Sequence, residues 1–109
     1  MTSIFATDMV PMSNGGTHLF SGDDWGRIAE QLHLSARELQ IVQHIFDDEK
    51  ESLIARHLGM SPHTVHTHIG RLYRKLEASS RCGLMLRVFR EHLDIVERGR
   101  THDAASLSG

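Results

Sequence analysis

The sequence predicts an all-α domain of about five helices between two flexible tails. Three observations carry that reading. Apolar residues recur at helical spacing in successive segments, serines open those segments in helix-capping patterns, and no run alternates apolar and polar residues with the period of a strand.

Residues 1–20 show no sustained periodicity and contain Pro11 and the run Asn14-Gly15-Gly16, so they read as a disordered tail. The domain follows over residues 21–97. Ser21 caps a first helix, with Asp24 three residues on and Trp25, Ile28, Ala29 and Leu32 on one face. The run Ser35-Ala36-Arg37-Glu38 is a full capping box. It opens a helix in which Leu39, Val42, Ile45 and Phe46 share a face, and Asp47-Asp48 mark its stop. A short helix near residues 50–58 is anchored by Leu53, Ile54 and Leu58. Gly59 stands at the position after it, where positive φ is needed. Ser61 is a good N-cap and Pro62 suits the first helical position, so the next helix runs from Pro62 to about Leu76. The connection Gly59-Met60-Ser61 is then the tight link of a helix-turn-helix. A last helix spans about Arg81 to Glu97, and residues 98–109 read as a second disordered tail.

The 109 residues suit one small domain. No apolar run reaches the length of a membrane span and no segment resembles a secretory signal, so the expectation is a cytoplasmic protein with no membrane partner. Cys82 is the only cysteine, which excludes an intramolecular disulfide and cysteine-rich zinc sites. The formal net charge of −2 gives no global signal for nucleic acid. Its distribution does: residues 61–90 hold Arg71, Arg74, Lys75, Arg81, Arg87 and Arg90 against a single acid, Glu77. No nucleophile–base pair, phosphate loop or carboxylate pair stands out, so no enzyme and no cofactor is expected.

The helix from Pro62 separates into two faces. Val65, Ile69, Leu72 and Leu76 form the stripe to be buried. His63, Thr67, Gly70 and Arg74 lie opposite, flanked by His66 and Arg71. That face carries no acid and no large aliphatic, which suits base edges in a major groove. Gly70 costs about 1 kcal/mol relative to alanine inside a helix, a cost consistent with close approach to another surface or with a tolerated surface glycine. At the helix start, Ser61 and Thr64 sit beside unpaired backbone N–H groups and the positive end of the helix dipole, where a phosphate can bind. Arg71, Lys75 and Arg81 would extend phosphate contacts, unless they simply form a solvated basic face.

The blocks LSARELQIV (34–42), IARHLGMSPHTVHTHI (54–69) and RLYRKLEASSR (71–81) occur in order, and with them the chain resembles the LuxR-type (GerE-type) helix-turn-helix domain over about residues 28–95. The resemblance implies a four-helix DNA-binding domain of bacterial transcription regulators, here with an additional N-terminal helix around Trp25. It implies that the third helix of that domain reads the major groove and that the fourth commonly supplies a dimer contact. Position by position, the family's base-reading surface falls on His66, Thr67 and Gly70. Its backbone-contacting positions fall on Ser61, Thr64, His68 and Lys75, with Arg71 nearby, and its structural positions on Leu34, Glu38, Ile54, Ala55, Leu58, Val65 and Leu76. Double-stranded DNA is the implied partner, and RNA polymerase a further one. Four positions depart from the family's habit. Leu53 stands where a glutamate is usual, Asp48 where a glycine is usual, His66 where a lysine is usual, and Gly70 where a basic or polar side chain is frequent. The last two remove permanent positive charge, so weaker nonspecific affinity and a shallower salt dependence are expected. Members usually carry a sensor domain. Residues 1–33 are too short for one, so the chain reads as a single-domain regulator or a fragment of a longer one.

The cluster His63, His66 and His68 raises a zinc alternative. His63 and His66 have helical i, i+3 spacing, but His68 points well away from His66 and no third ligand is near in sequence, so no metal is expected. His44, His57 and His92 read as surface or boundary residues. If the cluster meets phosphates, protonation should strengthen binding as pH falls from about 8 to 6. In the last helix, Met85, Val88, Phe89, Leu93 and Val96 suffice for a core. Leu84, Leu86 and Ile95 are left over, either for a homodimer or for closing the core against the Trp25 helix. The competing function is a protein-interaction module or antagonist that keeps the fold with weak or no DNA binding.

Overall fold

The computed structural model describes the backbone of residues 15–108 and the side chains of residues 15–100. Five α-helices follow a short 3-10 turn at Gly16–Leu19: α1 Gly22–Leu32, α2 Ala36–Phe46, α3 Glu51–Leu58, α4 Pro62–Leu76 and α5 Arg81–Ser108. No strand occurs among the described residues.

The expected local signals are present as hydrogen bonds. The Ser21 side chain accepts from the Asp24 N–H, and Ser61 accepts from that of Thr64. Ser35 and Glu38 form the full capping box, with Ser35 Oγ accepting from the Glu38 N–H and Glu38 Oε1 from the Ser35 N–H at 2.8 Å. Such caps typically stabilise a helix start by about 1 kcal/mol. Gly59 ends α3 at φ 67°, in the left-handed region it was expected to need. Asp48 adopts the same conformation at φ 61°. The turn after α2 therefore keeps a left-handed residue although its usual glycine is replaced, since the short polar side chain of aspartate tolerates that region.

The core gathers one stripe from each helix: Trp25, Ile28 and Leu32; Ile41, Val42, Ile45 and Phe46; Ile54 and Ala55; Val65, Ile69, Leu72 and Leu76; Leu84 and Val88. Helix α4 packs mainly on α3, with further contact to α2, while α5 lies chiefly against α1. Of the α3 anchors, Ile54 is fully buried and Leu58 packs on the core. Leu53 is only half-buried and stays outside that cluster.

Three expectations need correction. First, residues 15–20, placed in the N-terminal tail, belong to the packed unit; residues 1–14 lie outside the described residues. Thr17 receives a hydrogen bond from Trp25 Nε1 at 2.8 Å and gives two, to Asp47 Oδ1 and the Gln43 carbonyl, both at 2.8 Å. Phe20 is buried in an aromatic cluster with Trp25, Phe46 and Phe89, with centroids 5.0–5.9 Å apart. Gly16 is required by close approach, because a Cβ there would run into the Phe46 carbonyl. Second, α5 does not stop near Glu97; its backbone stays helical to Ser108. Third, the phase of α5 differs. Leu84 is fully buried, while Leu93 is 63% exposed and Val96 37%. The buried stripe runs Leu84, Val88, Glu91, and Ile95 packs partly at its end. Glu91 enters it as a buried carboxylate because Arg87 (3.1 Å) and Arg98 (3.5 Å) pair with it. A search for apolar residues alone skips Glu91 and carries the stripe on to Leu93 and Val96, whereas Met85 and Phe89 do pack partly against the core. Leu84 therefore leaves the set of dimer candidates, and Leu86, 60% exposed, remains in it.

Candidate nucleic-acid interface

The turn Gly59-Met60-Ser61 presents α4 with its apolar stripe seated on the core and the opposite face open. His63, Arg74 and Arg71 are exposed on that open face, and Thr67 and Gly70 lie half-buried between them. Neither Arg71 nor Arg74 forms an ion pair among the described residues, so both guanidinium groups are free to meet an anion. A Cβ on Gly70 would meet nothing nearer than Arg74 Nη1 at 4.0 Å. No packing inside the chain demands this glycine.

The Thr67 hydroxyl donates to the His63 carbonyl at 3.1 Å. Its proton is thereby used within the helix, leaving its lone pairs and its methyl group for an outside partner. At the helix start, Ser61 Oγ accepts from the Thr64 N–H (3.1 Å) and lies 2.9 Å from Thr64 Oγ1. Both hydroxyls are exposed beside the positive end of the α4 dipole. His68 is half-buried on one flank of the helix. Arg81 is half-buried at the start of α5.

Two residues have partners that spacing along one helix does not disclose. His66 is exposed, yet its Nδ1 lies 3.2 and 3.3 Å from the two carboxylate oxygens of Glu51 on α3. The edge of this open face thus has an acid beside it, although α4 itself contributes none. Lys75 has partners within the chain. Its Nζ donates to the His33 carbonyl and to Glu38 Oε1, both at 2.8 Å. The same Glu38 oxygen accepts the Ser35 N–H, so one carboxylate joins the start of α2 to the end of α4. Burial pushes the Glu38 carboxyl up, but the Lys75 hydrogen bond and charge, with the bonds from Ser35, outweigh it and hold the group below its ordinary range.

The histidine cluster of α4 does not assemble as ligands. A different group does: His44, Glu49 and His57 offer ligand atoms within 4.8 Å of one another. Their sequence separations match no helical ligand spacing, because the turn after α2 brings them together, and no signal short of the folded turn discloses them.

A family model described as "Bacterial regulatory proteins, luxR family" (GerE) matches residues 32–88, more than half of the chain. The chain belongs to this LuxR family. The matched stretch contains α2, α3, α4 and the start of α5, so the chain carries the family's helix-turn-helix DNA-binding domain. Two similar proteins are a "Probable transcriptional regulatory protein NarL" from Mycobacterium tuberculosis strain CDC 1551 / Oshkosh and its counterpart from strain ATCC 25618 / H37Rv. Each is 38% identical over 60 residues, covering 55% of this chain and 28% of the relative. This LuxR-family chain thus matches little more than a quarter of the length of those relatives. No solved structure matches it.

Proposed function

We propose that this LuxR-family chain regulates transcription by sequence-specific binding of double-stranded DNA, with α4 in the major groove. The observation that carries the proposal is the uncovered outer face of α4, where two unpaired arginines stand with no acid of the same helix. His63, His66, Thr67, Gly70 and Arg74 face base edges, and Ser61, Thr64, His68, Arg71 and Arg81 face the backbone. Lys75 positions α4 on α2 and leaves the phosphate contacts to its neighbours. The chain acts as a homodimer through the outer side of α5, where Leu86 and Leu93 stand seven residues apart, both exposed. Two α4 helices would then address half-sites about one helical turn apart. The protein works in the cytoplasm, without enzymatic activity, and RNA polymerase is a further partner. No described helix is long and apolar enough to cross a membrane.

A second reading has support in Glu51 and Gly70. An acid beside His66 and a bare position on the reading face both reduce attraction to DNA, as expected of an interaction module that has kept the fold. Selection of bound duplexes from a randomised pool separates the two readings. The DNA-binding reading expects a defined, palindromic motif whose sharpness drops in Thr67→Ala. Recovery of no motif, with no retention of DNA at low salt, favours the interaction module.

A further inference from the structure

We propose that His44, Glu49 and His57 form a binding site for a single first-row transition-metal dication of the zinc type, away from the outer face of α4. His44 comes from the last turn of α2, Glu49 from the following turn and His57 from the last turn of α3. Both imidazoles converge on one carboxylate oxygen: His44 Nδ1 lies 2.8 Å and His57 Nδ1 2.9 Å from Glu49 Oε1. The two rings are 5.3 Å apart at 31°. The side chains of His44 and Glu49 are 23% and 17% exposed, so water competes little there, whereas His57 is 44% exposed and leaves an entry path.

Two imidazoles and a carboxylate are the three-ligand set that zinc accepts with a water in the fourth position. Tetrahedral zinc with bonds of about 2.0–2.1 Å needs donor atoms roughly 3.4 Å apart. The two nitrogen-to-carboxylate separations, 2.8 and 2.9 Å, are hydrogen-bonded ones about half an ångström shorter, and all three ligand atoms already lie within 4.8 Å of one another, so small side-chain rotations suffice. On binding, each neutral ring carries its proton on Nε2 and turns its Nδ1 lone pair to the ion, while Glu49 contributes one negative charge. Asp47 and Asp48 immediately precede Glu49 and add to the local negative field.

The backbone already has the necessary shape. Asp48 takes its left-handed turn at φ 61°, and the Glu49 N–H donates to the His44 carbonyl at 3.2 Å, folding Glu49 back over the end of α2. A bound ion would tie the end of α2 to the end of α3, the helix that leads into the turn before α4.

Calorimetric titration of the full chain, without an affinity tag, with Zn²⁺ at pH 7.5 tests the proposal. Mg²⁺ serves as the hard-cation control and Co²⁺ as the spectroscopic probe. One equivalent of Zn²⁺ should bind and raise the melting temperature, and Co²⁺ should give the d–d bands of a tetrahedral site. Glu49→Gln and His57→Gln should each weaken Zn²⁺ binding by about tenfold or more, while His63→Gln leaves it unchanged. His57 lies at the surface, so its variant should keep the circular dichroism spectrum of the parent and show that lost binding is not lost folding. Absence of saturable Zn²⁺ binding, or binding that survives both site variants, overturns the proposal. So does binding lost in His63→Gln, which would move the ion to α4.

Discussion

Replacing Lys75 with methionine separates two roles for that residue. Methionine keeps most of the aliphatic stem and removes the ammonium, which here donates to the His33 carbonyl and to Glu38 at 2.8 Å each. Lys75 is 36% exposed and Glu38 16%, so the pair lies between a surface bridge, typically about 0–1 kcal/mol, and a buried one. With the carbonyl bond included, a loss of about 1 kcal/mol is expected at neutral pH, or roughly 4–8 °C in melting temperature for a domain of this size. The pH dependence carries the sign. The Glu38 carboxyl lies below its ordinary value in the folded chain, so its contribution is fully present above the unfolded-state value. It is lost as pH falls through the folded-state value. Urea denaturation of wild type, Lys75→Met and Glu38→Gln at pH 7 and at successively lower pH should therefore show the Glu38→Gln deficit vanishing in acid. The Lys75→Met deficit should shrink to the share owed to the carbonyl. If Lys75→Met is as stable as wild type at pH 7 and instead lowers the slope of DNA affinity against salt, Lys75 is a phosphate contact and the clamp is wrong.

Gly70→Ala should stabilise the free protein by up to about 1 kcal/mol, since the added methyl enters open space; thermal melts check this. The same variant should weaken DNA binding if backbone approach to the groove is the reason for the glycine. Leu84→Ala should cost about 2–5 kcal/mol in chemical denaturation, as removal of a fully buried side chain. Leu86→Ala should leave monomer stability within about 0.5 kcal/mol and lower the dimer fraction in sedimentation.

The elements that were legible in the sequence are those whose signals are local. Ser35 and Glu38, Ser61 and Pro62, and Gly59 each declare a helix boundary within four residues, and the apolar stripe of α4 is read directly from Val65, Ile69, Leu72 and Leu76. What escaped depends on contacts between segments. Phe20 looks like tail until Trp25, Phe46 and Phe89 are placed around it, and Gly16 looks like a linker until it is pressed against Phe46. Glu91 hides the phase of α5 because its two arginine partners make a carboxylate tolerable inside. At the interface, spacing places His63, Thr67, Gly70 and Arg74 on one face. It does not disclose Glu51 beside His66, or that Lys75 is already engaged by Glu38 and His33.

Whether the open face of α4 binds DNA is decided by the salt dependence of duplex affinity for wild type and Arg71→Ala. Each phosphate neutralised contributes about −0.9 to the slope of log affinity against log salt concentration. Three cations near the helix, Arg71, Arg74 and Arg81, would give a slope of roughly −2.7 per protomer if all meet phosphates, and proportionally less if Arg74 reads a base. Measurable binding is expected at low salt, with a slope that Arg71→Ala makes shallower by about 0.9 per protomer. Absence of binding at low salt, or an Arg71→Ala slope equal to that of wild type, would contradict binding through this face.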